Sequence, residues 1–388
     1  MAMKVRALLS SGVLLSTMWL ISCGHYTCGV TFGNSTCATA GGGLNQGGGG
    51  NTITQTAFVY FMDDNTGELA LEGLNVGGSQ TYAPVSSFVS PTGLPSVKDG
   101  GLVVVGTQHL YIPFVNNTLF GFSIDASTGA LTAVSPTPYS VAGPISIAAD
   151  PNGALLFVGG TGGISTFAIN ADGTLTGPAS TGTSTAPTQL ATDGLGKYLY
   201  ALTGNTISAF SYTPTGALTS LGTFSFSKDM IQIAGEKSGS AIFGIAGDAN
   251  VYVFSIAQSV SPGALSLSST VPTTYTPVNL AVSPNGKFVY TFNQTTTATG
   301  TTEAPMEGFS FSSGTLTELS GVSPFTALTA TAGHFDQSGQ YLFAAGTAPS
   351  SNVGSSFAFG ADTVAGALTS TLPNAGAPGT NFAVTDAP

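Results

Sequence analysis

Few side chains in this 388-residue chain are equipped for chemistry: three histidines, three cysteines and seven basic residues against 18 acidic ones. His109 and His334 fall where the chain is patterned to fold. An imidazole titrates near neutrality, so either ring is suited to take a proton from water or return one to a leaving group. His334 is the more informative. It stands two residues before a turn, at a place taken by Ala148, Ala191, Ala234, Ala281 and Ala383 in comparable segments. A histidine there either packs into a gap or presents a titratable ring to a channel, and the second reading makes it the candidate general base. His109 opens a segment where Lys197, Lys287 and Gln340 stand elsewhere, and solvent exposure is expected for it.

Two residues upstream of the His334 position stand Ser146, Gln189, Gln232, Asn279, Ala332 and Asn381. Five of these six are small and polar. Ser146, Gln189, Gln232, Asn279 and Asn381 are therefore the candidate channel-mouth binding set, suited to a neutral polar ligand such as a carbohydrate or peptide. Buried amides must find hydrogen-bond partners, so purely internal bonding is the competing reading.

Other motifs fail on inspection. There is no Gly-x-Ser-x-Gly nucleophile elbow. Gly196-Lys197 and Gly286-Lys287 lack both the upstream Gly and the following Ser or Thr of a phosphate loop. Gly159 to Gly163 reads as a hairpin turn. The run from Asp63 to Glu68 reads as an acidic hairpin rather than a calcium loop. Glu236 falls in a turn, and Glu303 and Glu307 in a loop that lengthens one segment. No metal site and no cofactor are expected.

The elements that must position these residues repeat. A turn and an apolar strand recur as Asp150-Pro151-Asn152-Gly153 before Ala154 to Val158, Asp193 to Gly196 before Lys197 to Tyr200, Glu236 to Gly239 before Ser240 to Phe243, Ser283 to Gly286 before Lys287 to Tyr290, and Asp336 to Gly339 before Gln340 to Phe343. A further strand carries Phe122, Phe167, Phe210, Phe254, Phe309 and Phe357, spaced by 45, 43, 44, 55 and 48 residues. Glu68 to Leu71 is a degenerate earlier copy, which makes seven. Gly-Ala-Leu-Thr or a relative then opens a fourth strand at Gly129, Gly173, Gly216, Gly263, Gly314 and Gly366. Alternating apolar positions, β-branched and aromatic residues and Gly-bearing turns specify strands. Seven units of four antiparallel strands match the blades of a β-propeller. The expected fold is all-β, a seven-bladed propeller over residues 55–388. Ala57 to Phe61 lacks a first strand before it and Asn381 to Thr385 a second strand after it, so the N- and C-terminal strands should pair and close one blade.

The first 54 residues read differently. Lys4 and Arg6 precede an apolar run, Ala7 to Ile21, which is short for a membrane span. The run ends in Leu20-Ile21-Ser22-Cys23, which resembles the lipobox of bacterial lipoproteins. That resemblance implies a signal peptide over 1–22, lipidation of Cys23 and, with Gly24 following, an outer-membrane destination. Residues 23–54 read as a Gly-rich tether. In an oxidising compartment Cys28 and Cys37 are placed to close a small disulfide loop. After cleavage five lysines and no arginine face 18 acidic residues, a net charge of −13. Nucleic acid and anionic lipid surfaces are excluded as partners on that balance.

The Asp-Pro-Asn-Gly and Leu-Phe-Val elements, with Phe122-Ser123-Ile124-Asp125 leading into Thr128-Gly129-Ala130-Leu131-Thr132, resemble the lactonase, or 6-phosphogluconolactonase-like, propeller family. The resemblance implies the seven-bladed fold and a lactonase activity served by His, Glu and Arg. The missing arginine argues against a phosphorylated substrate. The sequence thus leads to a lipid-anchored monomeric propeller that binds a small polar ligand or an envelope protein. The alternative is a hydrolase of a non-phosphorylated lactone with His334 as base.

Overall fold

The computed structural model describes residues 55–62, 69–75, 82–88 and 101–386, save for 115, 127–128, 182–184, 298–299, 321–322, 324, 348–353, 362–365 and 371–380. The lipobox, Cys23, Cys28, Cys37, the tether and the Asp63 to Glu68 run lie outside the described residues.

Seven antiparallel sheets form, each with the four strands that the repeat specifies. Blade 3 shows the pattern: Gln189–Thr192 is innermost, followed outward by Tyr198–Thr203, Thr206–Tyr212 and Leu218–Ser225. The second strand is buried along nearly its whole length, while the outermost is mostly exposed. The innermost strands of blades 1 to 6 are Val103–Val105, Pro144–Ala149, Gln189–Thr192, Gln232–Gly235, Thr276–Val282 and Ala332–Phe335. Blade 7 is assembled from both ends of the chain. Asn381–Asp386 pairs with Gln55–Met62, setting Phe58 opposite Thr385 and Phe61 opposite Phe382. Each inner strand touches the next, from blade 7 through blades 1 to 6 and back to blade 7.

The core is layered between blades because alternate residues on a strand face opposite neighbours. Leu110 and Ile112 pack with Phe58 and Tyr60 of blade 7, whereas Tyr111 between them packs with Leu156, Val158 and Phe167 of blade 2. One aromatic position recurs in every second strand: Tyr60, Tyr111, Phe157, Tyr200, Phe243, Tyr290 and Phe343 are all at most 1% exposed. Each such side chain contributes on the order of 2 kcal/mol by leaving water. Two turn positions require glycine. Gly153, Gly196, Gly239, Gly286 and Gly339 have φ between 68° and 72°, and the glycines that open the fourth strands have φ between 70° and 84°, a region costly for residues with a Cβ.

Blade 5 departs from expectation. Its extra length is no surface loop. It lengthens the second and third strands to Phe288–Thr297 and Gly300–Ser312, and Phe325–Thr329 braces the third. The Thr-rich run from Thr295 to Thr302 favours extended backbone, so the hairpin grows instead of looping out.

Candidate functional site

The inner strands, which in a propeller line the axial channel, carry both sets of candidate residues. The expected binding ring is engaged in holding blades together. Ser146 donates its hydroxyl to the Pro187 carbonyl at 2.9 Å, just ahead of the blade 3 inner strand. Gln189 Oε1 accepts the Ile233 amide of blade 4 at 3.3 Å. Gln232 bonds blade 5 twice, accepting the Leu280 N–H at 2.7 Å and donating to the Leu280 carbonyl at 3.2 Å. Asn279 Oδ1 accepts the Gly333 amide of blade 6 at 3.4 Å. These side chains point along the ring of inner strands and satisfy backbone groups that the sheets leave unpaired at their inner edge. The side chain of Asn381 is outside the described residues.

His334 behaves differently from its alanine counterparts. Ala191 and Ala281 are buried in inter-blade clusters. The imidazole is too large for such a slot, and its side chain is exposed to solvent. Protein crowding around the ring still costs the charged form, and desolvation pushes its pKa down to about 4. His334 is neutral at pH 7 and can accept a proton. It lies two residues, about 7 Å, further along its strand than the ring level.

His109 is half-buried rather than exposed, because Gly173 of blade 2 packs directly against its ring. Burial is the largest influence on its pKa and lowers it, against a backbone hydrogen bond at Ala171 and the nearby Asp172 charge. Glu307 is not a loop residue. It sits in the third strand of blade 5, 1% exposed.

Two bonding patterns were not visible as motifs. Four of the seven recurrent aromatics are tyrosines, and each hydroxyl donates to the glycine carbonyl of the next blade's 3–4 turn: Tyr60 to Gly129, Tyr111 to Gly173, Tyr200 to Gly263 and Tyr290 to Gly366, at 2.6–3.1 Å. Burial raises the pKa of Tyr60, Tyr111 and Tyr200, so the phenols remain donors. Four 1–2 turns carry an acidic residue, Asp150, Asp193, Glu236 and Asp336, and each is buried and accepts amides of its own turn. Asp193 Oδ1 takes Lys197 and Tyr198 N–H, both at 2.7 Å, and Glu236 takes Ser238 and Ser240 N–H at 2.7 and 2.6 Å. Burial would raise the Glu236 pKa, but hydrogen bonds from both serines outweigh it and hold the carboxyl below its ordinary value.

A cavity of about 190 Å³ lies among the 1–2 turns, lined in part by Asp193, Gly194, Glu236, Lys237 and Ser283. It is at the opposite end of the inner strands from the polar ring. Lys197, Lys237 and Lys287 also stand in those turns. Lys228 precedes the blade 4 inner strand and is ion-paired with Asp248. Among the described residues, the polar-ring end therefore offers no unpaired lysine to an anion. No group of His, Cys, Asp and Glu suited to hold a metal occurs among the described residues.

Comparison with solved structures bears on this arrangement. The chain is similar to a periplasmic gluconolactonase of Pseudomonas aeruginosa, with a TM-score of 0.63, 15% identity and coverage of 86% of this chain and 99% of the other. It is similar to a candidate 6-phosphogluconolactonase of Bacteroides fragilis, with a TM-score of 0.62, 19% identity and coverage of 87% and 99%. A second such protein, from Bacteroides uniformis, gives a TM-score of 0.60 at 21% identity, covering 85% and 99%. The chain shares the fold of these proteins. No family model and no curated relative matches the sequence. At these identities the likeness is one of fold, and activity has to be argued from the site.

Proposed function

We propose that the protein hydrolyses a non-phosphorylated lactone, with His334 as general base. The observation that carries this reading is His334 itself: a solvent-exposed, neutral imidazole on an inner strand, where five other blades have alanine. In this mechanism the neutral imidazole takes a proton from water as the water oxygen bonds to the lactone carbonyl carbon. The tetrahedral adduct then breaks its ring C–O bond, and the imidazolium returns the proton to the departing alkoxide. The product is an open-chain hydroxy acid, which ionises and releases one proton.

Charge supports the substrate class. A phosphorylated sugar lactone calls for a cationic clamp, whereas Lys228 is already paired and the chain past the signal has no arginine. The binding-module reading loses weight, because four of its five residues are bonded to the neighbouring backbone. For address we propose an exported, monomeric lipoprotein, anchored through Cys23 in the outer membrane, with Cys28 and Cys37 bridged. Turnover of a panel of neutral aldonolactones by the purified protein tests the activity. Globomycin-sensitive processing and labelling with an alkyne fatty acid test the anchor, and a Cys23→Ala variant that still labels would overturn it.

A further inference from the structure

The 1–2 and 3–4 turns share the end of the propeller away from the polar ring, and charge is unevenly placed on it. Four lysines fall among the described residues. Lys228 is at the polar-ring end and ion-paired. The other three, Lys197, Lys237 and Lys287, stand in the 1–2 turns of blades 3, 4 and 5, and all are exposed. The acidic residues beside them, Asp193 and Glu236, are 0% and 2% exposed and engaged by amides of their own turns. Blade 5 has Ser283 in that place, and the 3–4 turns of these three blades carry no acid. Exposed Asp125 and Asp172 belong to blades 1 and 2. A net charge of −13 past the signal argues against anionic lipid for the molecule at large, yet this sector presents only positive charge to solvent.

Apolar side chains project from the same turns. Val260, in the 3–4 turn of blade 4, is 82% exposed, and Leu195, in the 1–2 turn of blade 3, is 45% exposed. The turns abut: a Cβ at Gly263 would meet Tyr198 at 2.7 Å, one at Gly239 would meet Leu195 at 2.8 Å, and one at Gly286 would meet Lys237 at 3.1 Å. Lysines around projecting apolar groups suit a phospholipid interface, where ammonium meets phosphate and hydrocarbon enters the acyl boundary. The chain leads to the same place. Gln55–Met62 is the second strand of blade 7, and its Ala57 pairs with Asp386 at the end of the inner strand, so residues 1–54 join the propeller at the turn end. We propose that the turns of blades 3 to 5 rest on an anionic phospholipid bilayer, with Val260 and Leu195 entering it and Lys197, Lys237 and Lys287 on the headgroups. The proposal rests on the lipid-anchor reading above, because the anchor keeps the propeller at high local concentration beside the bilayer. The polar ring then opens away from the membrane, toward soluble substrate.

The test places one tryptophan at either end. Trp19 is the one tryptophan of the chain. In the full chain with Trp19→Phe, Val260→Trp reports on the turn end and Ile231→Trp, at a site 44% exposed beside the polar ring, is the control. The lipidated protein in phosphatidylglycerol vesicles with brominated acyl chains should show quenched, blue-shifted emission from Val260→Trp and unchanged emission from Ile231→Trp. A Cys23→Ala form should give the same response at higher lipid. Changing the three lysines to glutamine should weaken its binding roughly 100-fold, about fivefold for each. A lipidated, vesicle-bound protein with Val260→Trp unquenched, or with both reporters quenched equally, overturns the docking face and leaves the anchor standing. A protein without lipid at Cys23 whose Val260→Trp emission is still quenched removes the anchor and keeps the face. A Cys23→Ala form that never responds, or lysine variants that bind as tightly as wild type, would also overturn the proposal.

Discussion

Gln232→Leu separates a latch from a ligand contact. The side chain makes two hydrogen bonds to one residue of the next blade, at 2.7 and 3.2 Å, and that residue, Leu280, is 3% exposed. Leucine preserves the volume and removes both bonds, leaving an amide and a carbonyl at a buried seam. A buried group so stranded costs about 1–3 kcal/mol. Gln232 is itself half-buried, so water recovers part of this and the added apolar contact a little more. The net expectation is a loss of about 2 kcal/mol. For roughly 330 folded residues, an unfolding entropy near 2.1 cal/mol/K per residue turns this into a Tm lowered by about 3 °C. The assay is urea unfolding followed by tyrosine fluorescence and circular dichroism together, alongside calorimetry. A change below about 0.5 kcal/mol, with turnover or ligand affinity lost instead, would refute the latch and restore the ring as a recognition surface.

Other expectations follow from the same contacts. Tyr200→Phe deletes the 3.1 Å bond to the Gly263 carbonyl and should cost about 1 kcal/mol in urea unfolding; an unchanged midpoint would mean that the bond contributes nothing. Asp193 Oδ2 is buried without a partner, and the residue two further on is Leu195, 45% exposed. The equivalent Ser338 bonds Asp336 Oδ2. Leu195→Ser should therefore stabilise by about 1 kcal/mol, and a lowered Tm would show that the leucine packs where we place an unmet acceptor. Glu236 is held below its ordinary pKa of 4.5 in the folded state, so its contribution is present above that value and lost as acid titrates the folded carboxyl. Glu236→Gln should flatten the fall in stability below pH 4.5, and an unaltered acid limb would exclude Glu236 as a source.

The fold was legible because its signals are local and repeated. Four-residue turns ending in Gly, the recurrent phenylalanine and the Gly-Ala-Leu-Thr openings or their relatives each recur at one register, and the incomplete strands at Phe58 and Phe382 declared their own partnership. The site was legible only in part. His334 stood out because it breaks an alanine column. The roles of Gln189, Gln232 and Asn279 were not, since an amide beside a channel looks the same from sequence whether it faces a ligand or the next strand. Glu307 was misplaced in a loop because spacing registers an insertion without showing that its threonines extend a hairpin. The tyrosine latches escaped notice because Tyr and Phe share the core position, and only the distance to a glycine carbonyl distinguishes them.

The central claim rests on an uncharged imidazole at the inner strand of blade 6. It is tested most directly by proton release in a pH-stat as neutral aldonolactones are opened by wild type and by His334→Gln, with circular dichroism showing both folded. Lowered pKa and base catalysis together predict a wild-type rate that climbs through about pH 4 and stays level to pH 8, as the ring sheds its proton. The variant should be slower by about 100-fold or more. Equal rates in the two proteins, or a folded wild type that opens none of the lactones above the rate in buffer, would contradict it.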